Sequence, residues 1–298
     1  MTIKPDWVAV DWGTTHLRVW LMMADGTVLE RRDDPRGMAA LTPAQFDEVL
    51  TDVLGQQVRR GLPVIVCGMA GAAQGWRPAP YHSTPTVPPK ATEAVKPEGT
   101  ILDVYILPGV SQTAPADVMR GEETQIAGFL SLLPDFDGVL CMPGTHTKWV
   151  HISAGEIVSF RTFMTGEMFA LLGAQSVLRH SVGAEGWDDA AFDDAVSDLL
   201  SRPNDLAAKL FSLRAADVLH GVAGAKSRAQ LSGYLIGAEL AAAKPYWLGQ
   251  RVAIVGDGDF ETAYLRALTA QGVQANTTDA QTITLAGLKA AYATLIEA

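Results

Sequence analysis

The chain has 298 residues, 48% of them hydrophobic and 19% charged, and its 33 acidic and 23 basic side chains give a formal net charge of −10. That apolar share supplies a real core and argues against disorder or a coiled coil, and the length fits one large domain or two of ordinary size. The acidic balance argues against a general affinity for nucleic-acid backbone, so an anionic ligand must meet locally placed cations or backbone amides. Cys67 and Cys141 stand in apolar runs without a CxxC or Cys/His cluster, which argues against a disulfide scaffold or a structural zinc site. No apolar run approaches a bilayer span, and the N-terminus reaches acidic residues too early for a secretory leader, so the expectation is a cytoplasmic protein with no membrane partner.

From Trp7 to Arg32 the pattern reads strand, Gly-Thr-Thr turn, strand, Asp25-Gly26 turn, strand. Residues 42 to 60 carry helical spacing, with Thr42 as N-cap and Pro43 at the first helical position. A buried strand over 63–68 follows, and then a Gly/Pro-rich stretch to about residue 100, too long for a passive connector and therefore expected to shape a site. A strand over 104–110 closes the first half. The second half opens with a helix over about 122–133 and repeats the theme in strands GVLCMPG, TKWVHI and EIVSFRTFM. Helices are then expected over 166–178, 227–246, 261–271 and 282–296, with strands over 251–255 and 273–276. Laid over each other, DWGTTHLRV and MPGTHTKWV put Gly13 on Gly144 and Thr14 on Thr145, a candidate internal duplication with a period of 131 residues. Mixed sheets covered by helices are the natural architecture.

Three places carry chemistry. Asp11 ends the first strand before Gly13, Thr14 and Thr15, where a glycine lets backbone approach an anion, hydroxyls and amides bond phosphate oxygens, and a carboxylate can hold magnesium through water. The second Gly-Thr turn, Gly144 and Thr145, is flanked by His146 and Lys148, which supply local positive charge. Glu122 and Glu123 fall in the first turn of a helix, whose dipole favours an ionised carboxylate able to accept a proton from an alcohol, although such acids also serve plain capping. A third turn, Gly256-Asp257-Gly258, follows a buried strand and can receive a nucleotide; it is also a near miss for a dinucleotide fingerprint, which would make the protein an NAD-binding dehydrogenase but leaves both earlier turns unexplained.

The segments GEETQIAGF and LCMPGTHTKWV resemble the catalytic helix and second phosphate turn of sugar kinases of the actin/hexokinase superfamily. More closely, AVDWGTTHLRVWL, CGMAGAAQGWRPAPY, VMRGEETQ, MPGTHTKWV, FRTFMTGE and LSGYLIGAEL are similar, in the same order, to segments of the 2-dehydro-3-deoxygalactonokinase family. Ala72 and Ala73 depart from it where members often carry polar side chains, and VGDGD departs from the usual small-residue nucleotide turn. The resemblance implies an α/β fold of two ribonuclease H-like lobes with an ATP cleft between them. The expected division is 1–112 and 113–298, with the last helix, about 282–298, packing back on the first lobe. The implied activity is phosphorylation of the terminal hydroxyl of 2-dehydro-3-deoxy-D-galactonate with ATP and Mg2+.

Under this resemblance Asp11 serves magnesium, and Gly13, Thr14, Thr15, Gly144, Thr145, His146, Lys148, Gly256 and Gly258 serve the nucleotide. Glu122 is the general base with Glu123 beside it. Arg18, Arg120 and Arg161 are unranked candidates for the substrate carboxylate, which wants a guanidinium fork. Gln74, Trp76 and Tyr81 are candidates for the sugar, with loop packing an equal alternative for the two aromatics. The small-molecule partners are the sugar acid and ATP, and a homodimer is left open. A kinase for another 2-keto-3-deoxy sugar acid, such as the gluconate epimer, and a non-catalytic actin-like sensor are the alternatives.

Overall fold

A computed structural model describes residues 4–183, 185–222 and 224–297. The chain forms two compact units, the first made of Met1–Phe136, Ser153–Ser159 and Ala280–Ala298 and the second of Asp137–Ile152 and Phe160–Asp279. The first unit holds the strands β1 (Trp7–Trp12), β2 (Leu17–Met22), β3 (Val28–Asp34), β4 (Pro63–Gly68), β5 (Tyr81–Ser83), β6 (Asp103–Ile106), β7 (Gly109–Gln112) and β8 (Asp117–Met119), and the helices α1 (Phe46–Leu54) and α2 (Glu122–Leu132). The second is built on β9 (Gly138–Met142), β10 (Thr147–Ser153) and β11 (Glu156–Phe163). After these come α3 (Thr165–Ala174), α4 (Arg179–Val182), α5 (Asp189–Ser201), α6 (Leu206–His220), α7 (Gly224–Ala242), α8 (Lys244–Trp247), β12 (Val252–Gly256), α9 (Gly258–Thr269) and β13 (Asn276–Asp279). The last helix, α10 (Ala280–Ile296), lies in the first unit.

Each unit has a five-stranded sheet of the same plan. In the first the order is β3-β2-β1-β4-β6, with β1–β2 and β2–β3 antiparallel and β1–β4 and β4–β6 parallel. In the second the order is β11-β10-β9-β12-β13, with β9–β10 antiparallel and β9–β12 and β12–β13 parallel. The duplication seen in the Gly-Thr turns is therefore a duplication of topology, as two ribonuclease H-like lobes require. The parallel inner strands are covered on both faces and read as continuous apolar runs. In the first unit Phe46, Val49, Leu50 and Leu54 of α1 cover one face, and Leu288 and Ala291 of α10 cover the other, with Trp7 stacked on Tyr292 at 4.2 Å. The edge strand β3 carries Glu30, Arg31, Arg32, Asp33 and Asp34, charges that discourage strand addition.

The first helical turn behaves as its residues predict: Thr42 and Gln45 form a capping box around Pro43, in a 3-10 turn that leads into α1. The expected strand over 104–110 is interrupted at Pro108, which has no N–H for a ladder, and becomes β6 and β7. The strand expected over 273–276 forms later, over Asn276–Asp279, because the Val273 amide is taken by the Leu268 carbonyl as α9 closes.

The expected boundary at 112/113 also differs from the compact units, for the first runs on through Phe136 and takes in α2. The reason is a backbone crossing of α2 and α10. A Cβ on Gly128 would fall on the Ile283 carbonyl oxygen, and one on Gly287 would fall on the Thr124 carbonyl oxygen, so only glycines permit the approach. Gly287→Ala should accordingly lower stability by about 3 kcal/mol, the upper range for overpacking. Denaturant unfolding followed by tryptophan fluorescence measures this, and an unchanged midpoint would refute the crossing.

Candidate active site

Parallel pairing of β1 with β4 places their C-terminal ends side by side, with Asp11 opposite Cys67 and Trp12 opposite Gly68. On its other side Asp11 lies opposite Arg18 of β2, whose Nη1 donates to Asp11 Oδ2 at 2.8 Å. The Cys67 thiol points at Asp11 Oδ1 from 3.8 Å. Burial raises the Asp11 pKa, and the Arg18 guanidinium works against that rise.

Beyond Trp12 the chain bends so that the Gly13 amide donates to the His16 carbonyl at 2.8 Å, leaving Thr14 and Thr15 exposed at the tip. Behind the bend runs the segment at Gly37, whose Cβ would collide with the Thr15 backbone, while the Met38 and Ala39 amides bond the carbonyls of Gly13 and Thr14. Gly37 shapes the turn from a distance that local sequence reading could not span.

The glutamates reach the same sheet end through two glycines. Gly68 has φ +84° and Gly121 has φ +109°, and the Cβ position of Gly121 lies 3.4 Å from the Gly68 Cα. This brings the head of α2 to the exit of β4, where the charges of Glu122 and Asp11 act on each other. Glu122 is half-buried, and its Oε2 accepts the Arg120 amide at 3.1 Å. Glu123 is fully buried and accepts the Gly121 amide at 2.7 Å and the Thr124 hydroxyl at 3.2 Å. Burial, and then the Glu122 charge, push its pKa up to about 8. Glu123 is thus largely protonated at neutral pH and adds little negative charge beside Asp11 and Glu122.

The candidate substrate residues divide. Trp76 is partly buried and packs on Phe46 and Trp12 against the core of the first unit. Gln74 is exposed. Arg120 lies over the Tyr81 ring at 4.2 Å and donates through Nη2 to the Ala79 carbonyl at 2.8 Å, which ties the loop after β4 to the start of α2. Its Nη1, buried against Gly71, has no hydrogen-bond partner among the described residues. Arg18 is engaged by Asp11. Arg161 lies exposed on β11 over Phe163, in the second unit.

The second unit has its own turn at the ends of parallel β9 and β12. Gly144 and Thr145 sit on α3, where a Cβ at Gly166 would strike the Gly144 carbonyl and the Glu167 amide donates to the Thr145 carbonyl at 2.9 Å. His146 is exposed and pairs with Glu167 at 2.6 Å. Lys148 is buried, with its ammonium 3.4 Å from the His146 carbonyl, so it lies beneath the turn rather than on its surface. A Cβ at Gly256 would lie 3.5 Å from Pro143, which sets the Gly256–Gly258 turn beside the Gly-Thr turn. Because β12 is an inner strand joined to β9, this glycine turn does not follow the first strand of its unit, as a dinucleotide fingerprint should.

Sequence reading missed Glu239 on α7. It is buried and accepts Trp149 Nε1 at 2.7 Å, the Tyr264 hydroxyl at 2.7 Å and the Thr165 hydroxyl, and burial raises its pKa to about 6. A lone acid inside LIGAELAAA was the available signal, since a carboxylate in an apolar helical run must find donors.

No set of three or more metal-ligating side chains occurs among the described residues. A magnesium ion that keeps several waters takes one or two carboxylates plus substrate phosphates, and Asp11, near the end of β1 before the Gly13–Thr15 bend, has the donor chemistry for such a place. No described helix is long and apolar enough to cross a membrane.

The family model for 2-keto-3-deoxy-galactonokinase matches residues 11–291. A Rhizobium meliloti (strain 1021) protein named a probable 2-dehydro-3-deoxygalactonokinase is 41% identical over 301 residues, covering 98% of both chains. The Escherichia coli (strain K12) 2-dehydro-3-deoxygalactonokinase is 34% identical over 286 residues, covering 95% of this chain and 96% of its own. A crystal structure from Sinorhizobium meliloti, named for the same activity, has a TM-score of 0.91 at 41% identity and covers 97% of this chain and 99% of its own. Component A of the Acidaminococcus fermentans (R)-2-hydroxyglutaryl-CoA dehydratase shares the fold, with a TM-score of 0.53 at 14% identity over 97% of this chain and 98% of its own.

The buried glutamate gives a pH signature. A carboxyl whose pKa is raised on folding holds its proton more tightly in the native state, so stability falls as pH rises from the unfolded value of 4.5 towards about 8. Glu239 contributes the same sign only up to about 6. Between pH 6.5 and 8, therefore, urea unfolding should show stability declining more steeply in the wild type than in Glu123→Gln; parallel slopes for the two would contradict the assignment.

Proposed function

The chain belongs to the 2-keto-3-deoxy-galactonokinase family, and on that premise we propose that it transfers the γ-phosphoryl group of ATP to the terminal hydroxyl of 2-dehydro-3-deoxy-D-galactonate, giving the 6-phosphate and ADP. The observation that carries the reading is the grouping of Asp11, the Gly13–Thr15 bend and Glu122 at one end of the first unit's sheet. Cytoplasmic action on cytoplasmic ATP is part of the same reading.

Glu122 accepts the proton of the attacking hydroxyl as the new P–O bond forms and the bond to the β-phosphate breaks. Its carboxylate is oriented by the Arg120 amide, and the protonated Glu123 behind it leaves the local negative charge on the groups that use it. Phosphoryl transfer depends mainly on positioning and charge neutralisation, so the base orients the nucleophile more than it drives the chemistry. Thr14 and Thr15, with the amides of their bend, bond phosphate oxygens, and Gly144, Thr145 and His146 of the second unit do the same at their own turn. Asp11 would hold magnesium, which when bound neutralises phosphate charge. Arg18 keeps Asp11 in place. Arg120, which lies over the Tyr81 ring two residues before Glu122, is placed to receive the substrate carboxylate.

A coupled ADP-release assay with magnesium should show turnover on 2-dehydro-3-deoxy-D-galactonate that exceeds turnover on the gluconate epimer and vanishes on the same sugar without its carboxylate. Glu122→Gln should lower kcat by about 100-fold or more while nucleotide affinity persists. Undiminished turnover in that variant would remove Glu122 from the base role.

A further inference from the structure

Three elements of the second unit converge on one buried carboxylate of a fourth, α7, that the proposed reaction does not use. Glu239 Oε1 accepts the Trp149 indole N–H from β10, and Oε2 accepts the Tyr264 hydroxyl from α9 and the Thr165 hydroxyl at the start of α3. Tyr264 in turn shares a 2.9 Å hydrogen bond with Thr147, the first residue of β10. Glu239 is itself seated firmly, for Gly233 and Gly237 on the same helix lie so close to α5 that a Cβ would come within 2.6 Å of the Phe192 and Val196 carbonyls.

These partners are the supports of the candidate nucleotide residues. Thr147 directly follows Thr145 and His146. Thr165 precedes Gly166, on which the Gly144 carbonyl and Thr145 Cα rest, and Glu167, which pairs with His146. Tyr264 lies on the helix that opens at Gly258. Stability alone would be served as well by an apolar side chain of similar volume, since a buried carboxylate pays a large desolvation penalty. What three directed hydrogen bonds add is a fixed relation between the Gly144–His146 turn and the Gly256–Gly258 turn.

We propose that Glu239 is a positioning residue for nucleotide, holding the second phosphate turn and the glycine turn at the ends of β9 and β12 in the spacing that ATP requires. This rests on the assignment of those turns to ATP. Glu239 touches neither substrate.

The test compares steady-state constants for both substrates in Glu239→Gln, Tyr264→Phe and Thr145→Val. Glutamine keeps the shape of the side chain, and because an indole N–H can only donate, its carbonyl must face Trp149 and its amide must face Thr165 and Tyr264, which reverses those two hydrogen bonds. The expected result for Glu239→Gln and Tyr264→Phe is a rise of about tenfold in KM for ATP with KM for the sugar acid unchanged, because small misplacement of binding groups is expressed in the constant of the ligand they hold. A structural role alone would lower the active fraction and leave both KM values in place, and that outcome in a soluble Glu239→Gln overturns the proposal. Should Glu239→Gln fail to fold, Tyr264→Phe decides by the same criterion. Thr145→Val separates the two failures. If it raises KM for ATP while the other variants do not, positioning by Glu239 is wrong and the turn assignment stands; if it too leaves KM unchanged, the turn assignment fails and the positioning role falls with it.

Discussion

Gly68 and Gly121 bring two backbone segments into contact, for a Cβ on Gly121 would lie 3.4 Å from the Gly68 Cα, and one on Gly68 would strike the Trp12 carbonyl oxygen at 2.6 Å. One belongs to the exit of β4 and the other to the head of α2, and both hold positive φ values that other residues rarely adopt. From that approach the rest of the first unit's site follows. The Gly121 amide turns back onto Glu123, the Arg120 amide onto Glu122, and the α2 dipole ends beside the strand that carries Asp11. The glycine crossing of α2 with α10 anchors the other end of the relation, because Gly128 and Gly287 fix the helix whose first turn bears the acids.

The second unit solves the equivalent problem in its own way. Its Gly-Thr turn rests on α3 through Gly166, and the support beneath is polar, with Glu239 joining β10, α3, α7 and α9. Both units use the same sheet order and place the bend after the first strand, where the C-terminal ends of neighbouring parallel strands leave room for a ligand. One unit puts carboxylates beside its bend, and the other puts His146 there with a glycine turn as neighbour. A duplicated fold thereby carries different side chains at the equivalent bend of each copy.

Much of this was legible in the amino-acid order. Apolar runs broken by Gly-Thr and Asp-Gly turns located the inner strands, and the repeated DWGTT and PGTHT patterns announced the duplication, because local turn chemistry and buried strand patterning agree there. Other features depend on partners far along the chain. Trp76 packs against the core because Phe46 and Trp12 stand opposite it, and Lys148 is buried in a run of β10, Thr147 to Val150, whose residues are all buried. Strand β13, Asn276–Asp279, has almost no apolar pattern and is fixed by pairing with β12. The helices α5 and α6 were not evident in the sequence pattern, and the first of them packs on Gly233 and Gly237 of α7. The three arginines looked alike until the structure gave one of them to Asp11 and another to Tyr81 and Ala79.

The central claim is that Glu122, held at the end of the first unit's sheet, receives the proton of the sugar acid's terminal hydroxyl. A crystal structure with a non-hydrolysable ATP analogue, magnesium and 2-dehydro-3-deoxy-D-galactonate tests it directly. The account predicts that hydroxyl within about 3 Å of a Glu122 carboxylate oxygen, the reach of a general base. A substrate bound with its terminal hydroxyl well away from Glu122, or facing another base, would contradict it.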